Sequence, residues 1–292
     1  MKPSAIQLEL LTEESSKPVN VSSVPQRSPF RYPGGKTWLI PTARKWLAYQ
    51  KPKILIEPFA GGGSISLLAA SEGFADSIVM AELDPEVAAV WHTILSSDSE
   101  WLATSILDFE LTSQNLVDEL SVTPRSTKRR ALQTILRNRT SHGGIMAPGS
   151  GVMKNGENGK GITSRWYPQT LSARIRAISE FAHKITFVEC DGIELISKYD
   201  SSNSCVFIDP PYTAGGTKAG KRLYKFSQLD HDELFKISSN LLGDPLLTYN
   251  DASELHDLAL KNNFVCKKVS MQNTHLNEKF ELLIARDFPW IP

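Results

Sequence analysis

The sequence predicts an α/β protein built on a parallel sheet, and two observations carry that reading. Short apolar runs of strand length alternate with longer amphipathic stretches, as strands joined by crossover helices do. The chain has 292 residues, 41% hydrophobic and 22% charged. That suits one large domain, or a core domain with a smaller insertion, and excludes a mostly disordered or disulfide-framework protein. In chain order, residues 1–27 are rich in Ser, Pro, Glu and Val without a period and read as a flexible N-terminal arm. Strands are expected at 54–56, 77–81, 185–189, 205–208 and 245–248. Two further runs, 264–269 and 281–285, suit an antiparallel edge hairpin. Helices are expected at 64–72, 85–96, 125–137, 171–182 and 230–241. Between 140 and 167 both signals vanish into a Gly- and Asn-rich segment, which reads as an inserted lobe rich in loops. The expected division is a core domain over 28–110 and 177–292, with the inserted lobe over 111–176.

Charge is placed unevenly along a chain that is neutral overall, with 32 Lys plus Arg and 32 Asp plus Glu. Residues 54–124 contain no Lys or Arg, so no side chain there can grip a phosphate. Residues 125–176 reverse this, with eleven Lys and Arg against one acid, Glu157. A second basic run, Lys218, Lys221, Arg222 and Lys225, is flanked by Tyr212, Tyr224 and Phe226. Cations interleaved with aromatic rings suit a polyanion with stackable bases. The three cysteines, Cys190, Cys205 and Cys266, are too scattered for a metal cluster, and the six histidines show no paired ligand spacing, so no metal is expected. No apolar run approaches the roughly 18–20 residues that span a bilayer, and no signal-peptide core is seen, which points to a cytoplasmic protein with no membrane partner.

Two motifs carry chemistry. KILIEPFAGGGSISLLAA reads as a strand, a tight loop of Gly61, Gly62 and Gly63, and a helix. Its glycines let backbone N–H groups approach a ligand. The loop fails the dinucleotide pattern G-x-G-x-x-G, whose third glycine would fall on Ser66, and GGKT at 34–37 fails the phosphate-loop pattern, whose first glycine would fall on Phe30. What remains is Phe59-x-Gly61-x-Gly63, followed about 20 residues on by Glu82 at a strand end, where it can accept both hydroxyls of a ribose. The second motif, Asp209-Pro210-Pro211-Tyr212, follows an apolar strand at its carboxyl end. The prolines stiffen a turn that can aim the Asp209 carboxylate and the Pro210 carbonyl at one small volume, with the Tyr212 ring as a flat wall. Two acceptors beside a flat wall suit an amino group on an aromatic ring, and hydrogen bonds from its protons favour the pyramidal, nucleophilic form.

The ordered series FRYPGGK (30–36), EPFAGGG (57–63), ELD (82–84), ECDG (189–192), DPPY (209–212) and LTYND (247–251) resembles the Dam-like D12 class of DNA adenine N6-methyltransferases, in the alpha arrangement. The resemblance implies a Rossmann-like sheet using S-adenosylmethionine, with the inserted segment as a mostly helical, loop-rich DNA-recognition lobe. It places Tyr32 and Lys36 at the cofactor site with Lys36 reaching toward it, Phe59, Gly61 and Gly63 around the methionine part, Glu82 on the ribose and Asp191 on the adenine amino group. It makes Asp209, Pro210, Pro211 and Tyr212 the catalytic motif. The implied partner is double-stranded DNA, with a separately encoded cognate restriction endonuclease as a further partner. Expected DNA contacts are Arg125, Lys128, Arg129, Arg130, Arg137, Arg139, Lys218, Lys221 and Arg222. The segment 138–149 departs from the Dam recognition region, so the target sequence does not carry over.

Other planar amines stay open: cytosine N4, adenine N6 in RNA, or a glutamine side chain. Asp at the first motif position favours adenine over the Ser of cytosine N4 enzymes and the Asn of glutamine enzymes. Cytosine C5 chemistry needs a nucleophilic cysteine, usually after proline, and here the cysteines follow Glu189, Ser204 and Val265. A methyltransferase-like module that holds DNA without chemistry is the alternative outside enzymes.

Overall fold

The computed structural model describes residues 23–31, 35–146, 150–156, 159–211, 229–272 and 278–291. Residues 1–22 of the expected arm lie outside the described residues, as do Tyr32, Tyr212, Lys218, Lys221 and Arg222.

Seven strands form one sheet: β1 (Ile54–Glu57), β2 (Ser77–Ala81), β3 (Ile185–Val188), β4 (Ser204–Ile208), β5 (Asp244–Asn250), β6 (Val265–Gln272) and β7 (Glu278–Ala285), in the order β3-β2-β1-β4-β5-β7-β6. The first five are parallel, and β7 runs antiparallel to both β5 and β6. The expected α/β sheet and terminal antiparallel hairpin are both present. The hairpin's last strand is internal, though, slotted between β5 and β6.

Ten helices accompany the sheet: α1 (Ile40–Gln50), α2 (Ser64–Glu72), α3 (Pro85–Ile94), α4 (Ser99–Asp108), α5 (Ser113–Ser121), α6 (Thr127–Thr140), α7 (Pro168–Glu180), α8 (Gly192–Tyr199), α9 (His231–Ser239) and α10 (Ser253–Lys261). No helix among the described residues is long and apolar enough to cross a membrane. Because strand side chains alternate between faces, β1 divides its apolar residues between two cores. Leu55 joins the larger cluster with Ile78, Met80, Phe207 and Leu246, while Ile56 joins the other with Val79, Val206, Ile208 and Leu247. The chain specifies several helix starts locally. Asp84 caps α3 ahead of Pro85 by accepting from Glu86 N, Ser126 caps α6, and Asp191 caps α8 by accepting from Ile193 N.

The insertion enters between β2 and β3. Its helices do not form a separate core: Ala131, Leu132 and Ile135 of α6 and Leu171, Ile175 and Ile178 of α7 belong to the same cluster as the sheet. α6 packs along α3, and α7 along α4. Only the stretch after α6 is irregular, held by a Ser141–Val152 bridge and a short 3-10 turn at Gly161–Arg165.

Candidate active site

β1 and β4 are neighbours, with Ile56 paired to Val206. After β1 the chain builds outward to β2 and β3, and after β4 outward the other way. The loops leaving β1 and β4 therefore diverge at their carboxyl ends and leave a crevice, the usual ligand site of open α/β sheets. The two motifs read from the sequence lie on those two loops.

The β1 loop is fixed from three sides. Ala60 N donates to the Ala81 carbonyl at 2.9 Å, tying the loop to the end of β2. Trp91 Nε1 of α3 donates to the Gly61 carbonyl at 2.9 Å. Gly61 and Gly63 are left-handed, with φ of 47° and 61°, and a Cβ on Gly63 would lie 2.9 Å from the Trp91 ring. Glycine is required there by conformation and by space. Glu82 closes the loop from β2: Oε2 accepts from Gly61 N at 3.0 Å, and Oε1 from Leu83 N and Asp84 N at 2.9 Å. Burial raises its carboxyl above the ordinary value, while those three N–H groups pull against the rise.

Glu57, which ends β1, is buried, and its Oε2 accepts from Ser66 N in the first turn of α2 at 2.7 Å. Burial pushes its carboxyl up to about 7, the Ser66 bonds oppose that, and the negative Asp209 nearby adds to the rise. On the other side of the loop, Gly192 starts α8 so close to Pro58 that a Cβ would meet its carbonyl and lie 2.9 Å from the Phe59 ring. This approach brings Phe59 and Asp191 together. Asp191 Oδ1 accepts from Ile193 N at 2.8 Å, and Oδ2 has no hydrogen-bond partner among the described residues.

Asp209 is the most constrained carboxylate of the crevice. Its Oδ1 accepts from Thr248 Oγ1 of β5 at 2.8 Å and stands 3.0 Å from Lys36 Nζ. The lysine is 3% exposed and also pairs with Glu281 Oε2 of β7 at 3.3 Å. Lys36, expected to reach toward the cofactor, is directed at Asp209 and Glu281, because a buried ammonium needs carboxylate partners. Behind this pair, buried Tyr249 meets His231 Nδ1 through its hydroxyl at 2.9 Å. Burial raises the phenol well above its ordinary value, and Asp209 adds to it.

Residues 32–275 match the family model described as D12 class N6 adenine-specific DNA methyltransferase. The chain belongs to this family. It is an adenine-specific DNA methyltransferase, and its family and fold imply a cofactor of the S-adenosylmethionine type and a DNA substrate. Among solved structures, the methyltransferase is similar to a provisionally named RNA methyltransferase of Pyrococcus horikoshii, at 12% identity and a TM-score of 0.38 over 96% of this chain and 94% of that one. It is also similar to the provisionally named methyltransferase yhhF of Escherichia coli, at 13% identity and a TM-score of 0.31 over 85% and 86%. No curated protein matches the chain.

The basic residues of the methyltransferase's insertion have unequal surroundings. Arg125 and Arg130 are exposed at the start of α6. Lys128 pairs with Asp98 at 2.9 Å and lies over the Trp101 ring, Arg129 forms a two-pronged pair with Glu119, and Arg137 pairs with Glu86 at 2.6 Å. Arg139 differs from the expectation of a surface DNA contact. It is 4% exposed and donates Nη2 to the Pro29 carbonyl. A charge count along the chain does not register that it falls on the buried face of α6. Sequence reasoning gave no role to Glu57, Thr248 or Glu281. Glu281 did leave a signal, an acid inside the apolar run KFELLIA, which demands a buried cation.

Proposed function

We propose that the protein transfers a methyl group from S-adenosylmethionine to N6 of an adenine turned out of double-stranded DNA. The observation that carries this reading is the adjacency of the β1 glycine loop and the Asp209 turn across one crevice. The residues present fit such a cofactor. Two carboxylates, Glu82 and Asp191, are seated against a loop bare of side chains at Gly61 and Gly63. That donor set suits a ribose diol and an adenine amino group beside a methionine tail. The cofactor supplies an electrophilic methyl group when bound, and the remaining tasks fall to the chain.

Asp209 and the Pro210 carbonyl accept hydrogen bonds from the two N6 protons, which keeps the nitrogen lone pair out of the ring. Lys36 and Thr248, both on Oδ1, fix the rotation of the Asp209 carboxylate. Catalysis is then largely positioning and electrostatics. Tyr212 is assigned the stacking wall for the extruded base, since chemistry on a base atom requires it outside the helix stack. Arg125 and Arg130 are assigned to backbone phosphates. Lys128, Arg129 and Arg137 come second, because each already has a carboxylate partner.

The test is transfer of labelled methyl from S-adenosylmethionine to duplex DNA, followed by mapping of the modified base. Label on adenine N6 of the duplex is expected. Label on cytosine N4, or on RNA alone, refutes the assignment.

A further inference from the structure

Four arginines meet away from the crevice, where the segment before Tyr32, the last turn of α6, the Gly161–Arg165 turn and α7 come together: Arg31, Arg139, Arg165 and Arg174. Burial pushes Arg139 down to about 9, and the positive charges of Arg174, Arg31 and Arg165 push the same way. Arg31, Arg139 and Arg174 have no carboxylate partner among the described residues. Arg174 Nη1 donates to the Ser28 carbonyl at 3.1 Å, and Arg139 Nη2 to that of Pro29. This leaves Arg31 Nη1 and Arg139 Nε buried without any hydrogen bond. A buried donor left unmade costs about 1–3 kcal/mol, and more on a charged group.

The chain nevertheless holds Arg31 in place. Fully buried Asn138 accepts from Arg31 N at 2.8 Å and donates to the carbonyls of Arg31 at 2.7 Å and Gly144 at 2.9 Å. Gly144 is left-handed at φ 77°, and a Cβ there would collide with the Arg31 carbonyl. Like charges clamped together with open donors suit an oxyanion that takes several guanidinium N–H groups at once. Arg31, Arg165 and Arg174 are partly exposed, and Tyr167 beside them is half exposed, so the cluster is open to solvent.

We propose that this cluster is a phosphate site that takes one backbone phosphodiester of the DNA. The inference rests on the DNA-methylating reading above. The five residues from Arg31 to Lys36 span at most about 18 Å of extended chain, so the phosphate held here lies within reach of the base that Asp209 engages.

The test compares wild type with Arg165→Gln and Arg174→Gln, by anisotropy of a labelled duplex across a salt series and by melting without DNA. Each variant should bind about tenfold more weakly near 0.15 M salt, with the slope of log affinity against log salt smaller by about one. Melting temperature should hold or rise, as like charges are thinned. Arg165→Lys should keep the slope, which guards against misfolding as the cause. Unchanged affinity and slope in both glutamine variants overturn the proposal. It is also overturned if inorganic phosphate at constant ionic strength raises the wild-type melting temperature while the variants bind duplex normally, since the site then serves a free ion. Failure of the underlying reading shows separately, as a wild-type protein that neither binds nor methylates the duplex.

Discussion

Replacing Lys36 with methionine removes the one cation seen against two carboxylates and leaves Asp209 and Glu281 facing each other, with Glu57 near Asp209. At 3.0 Å, a unit pair in an effective dielectric of about 20 is worth about 5.5 kcal/mol. Relief of the lysine's own burial offsets part of this, so the expected loss is about 3–5 kcal/mol, the usual cost of breaking a buried pair from one side. Unfolding entropy of about 2.1 cal/mol/K per residue gives roughly 0.6 kcal/mol/K for this chain. The melting temperature should therefore fall by about 5–8 °C. Turnover should fall at least about 100-fold, because the Asp209 carboxylate loses its orientation. Cofactor affinity should stay within about threefold, since Lys36 is directed at Asp209 and not at the β1 loop. Glu281→Gln added to Lys36→Met should recover part of the stability by removing one uncompensated charge. Calorimetry and cofactor titration of the single and double variants check this. A Lys36→Met protein with normal melting and lost cofactor binding refutes the reasoning and returns the lysine to the cofactor.

Asp209→Ala should lower kcat by roughly 10³ or more while cofactor binding survives, measured by single-turnover methylation beside equilibrium titration. Gly63→Ala forces a side chain into a left-handed position costing about 1–2 kcal/mol, and its methyl meets Trp91. A total loss of about 2–5 kcal/mol with weakened cofactor binding is expected, and a melting temperature equal to wild type counts against the loop geometry. Glu57 has its carboxyl raised to about 7 in the folded protein, so the stability linked to its proton is fully present below about pH 4.5 and lost as pH rises through about 7. Glu57→Gln should flatten the fall in melting temperature across that window and melt higher than wild type at pH 8. Parallel pH profiles for the two proteins contradict this.

What was legible in the sequence is what the backbone decides locally. The glycines of the β1 loop and the prolines after β4 restrict φ at fixed positions, so both loops could be placed at strand ends before any packing was known. The long apolar runs of β4 and β5 announced buried strands for the same reason. Helices whose apolar face is short, such as α4 and α10, were not assigned, because their stability comes from packing and not from their own period. Pairings across the chain were illegible. Nothing near Lys36 indicates that its partners lie at 209 and 281, and nothing near Arg139 indicates that α6 turns it inward. The extent of α6 was underestimated as well. Residues 138–140 continue the helix to place Asn138 against Arg31, a contact that acts over 107 positions.

The placement of β7 bears on how this protein is made. Its last strand is threaded between two earlier ones and carries Glu281, the second anchor of Lys36. A ribosome that has released everything up to β6 has therefore produced a sheet with a vacant slot and a lysine short of one anchor. Competence for chemistry arrives with the final dozen or so residues, which keeps a half-made enzyme from acting on the genome.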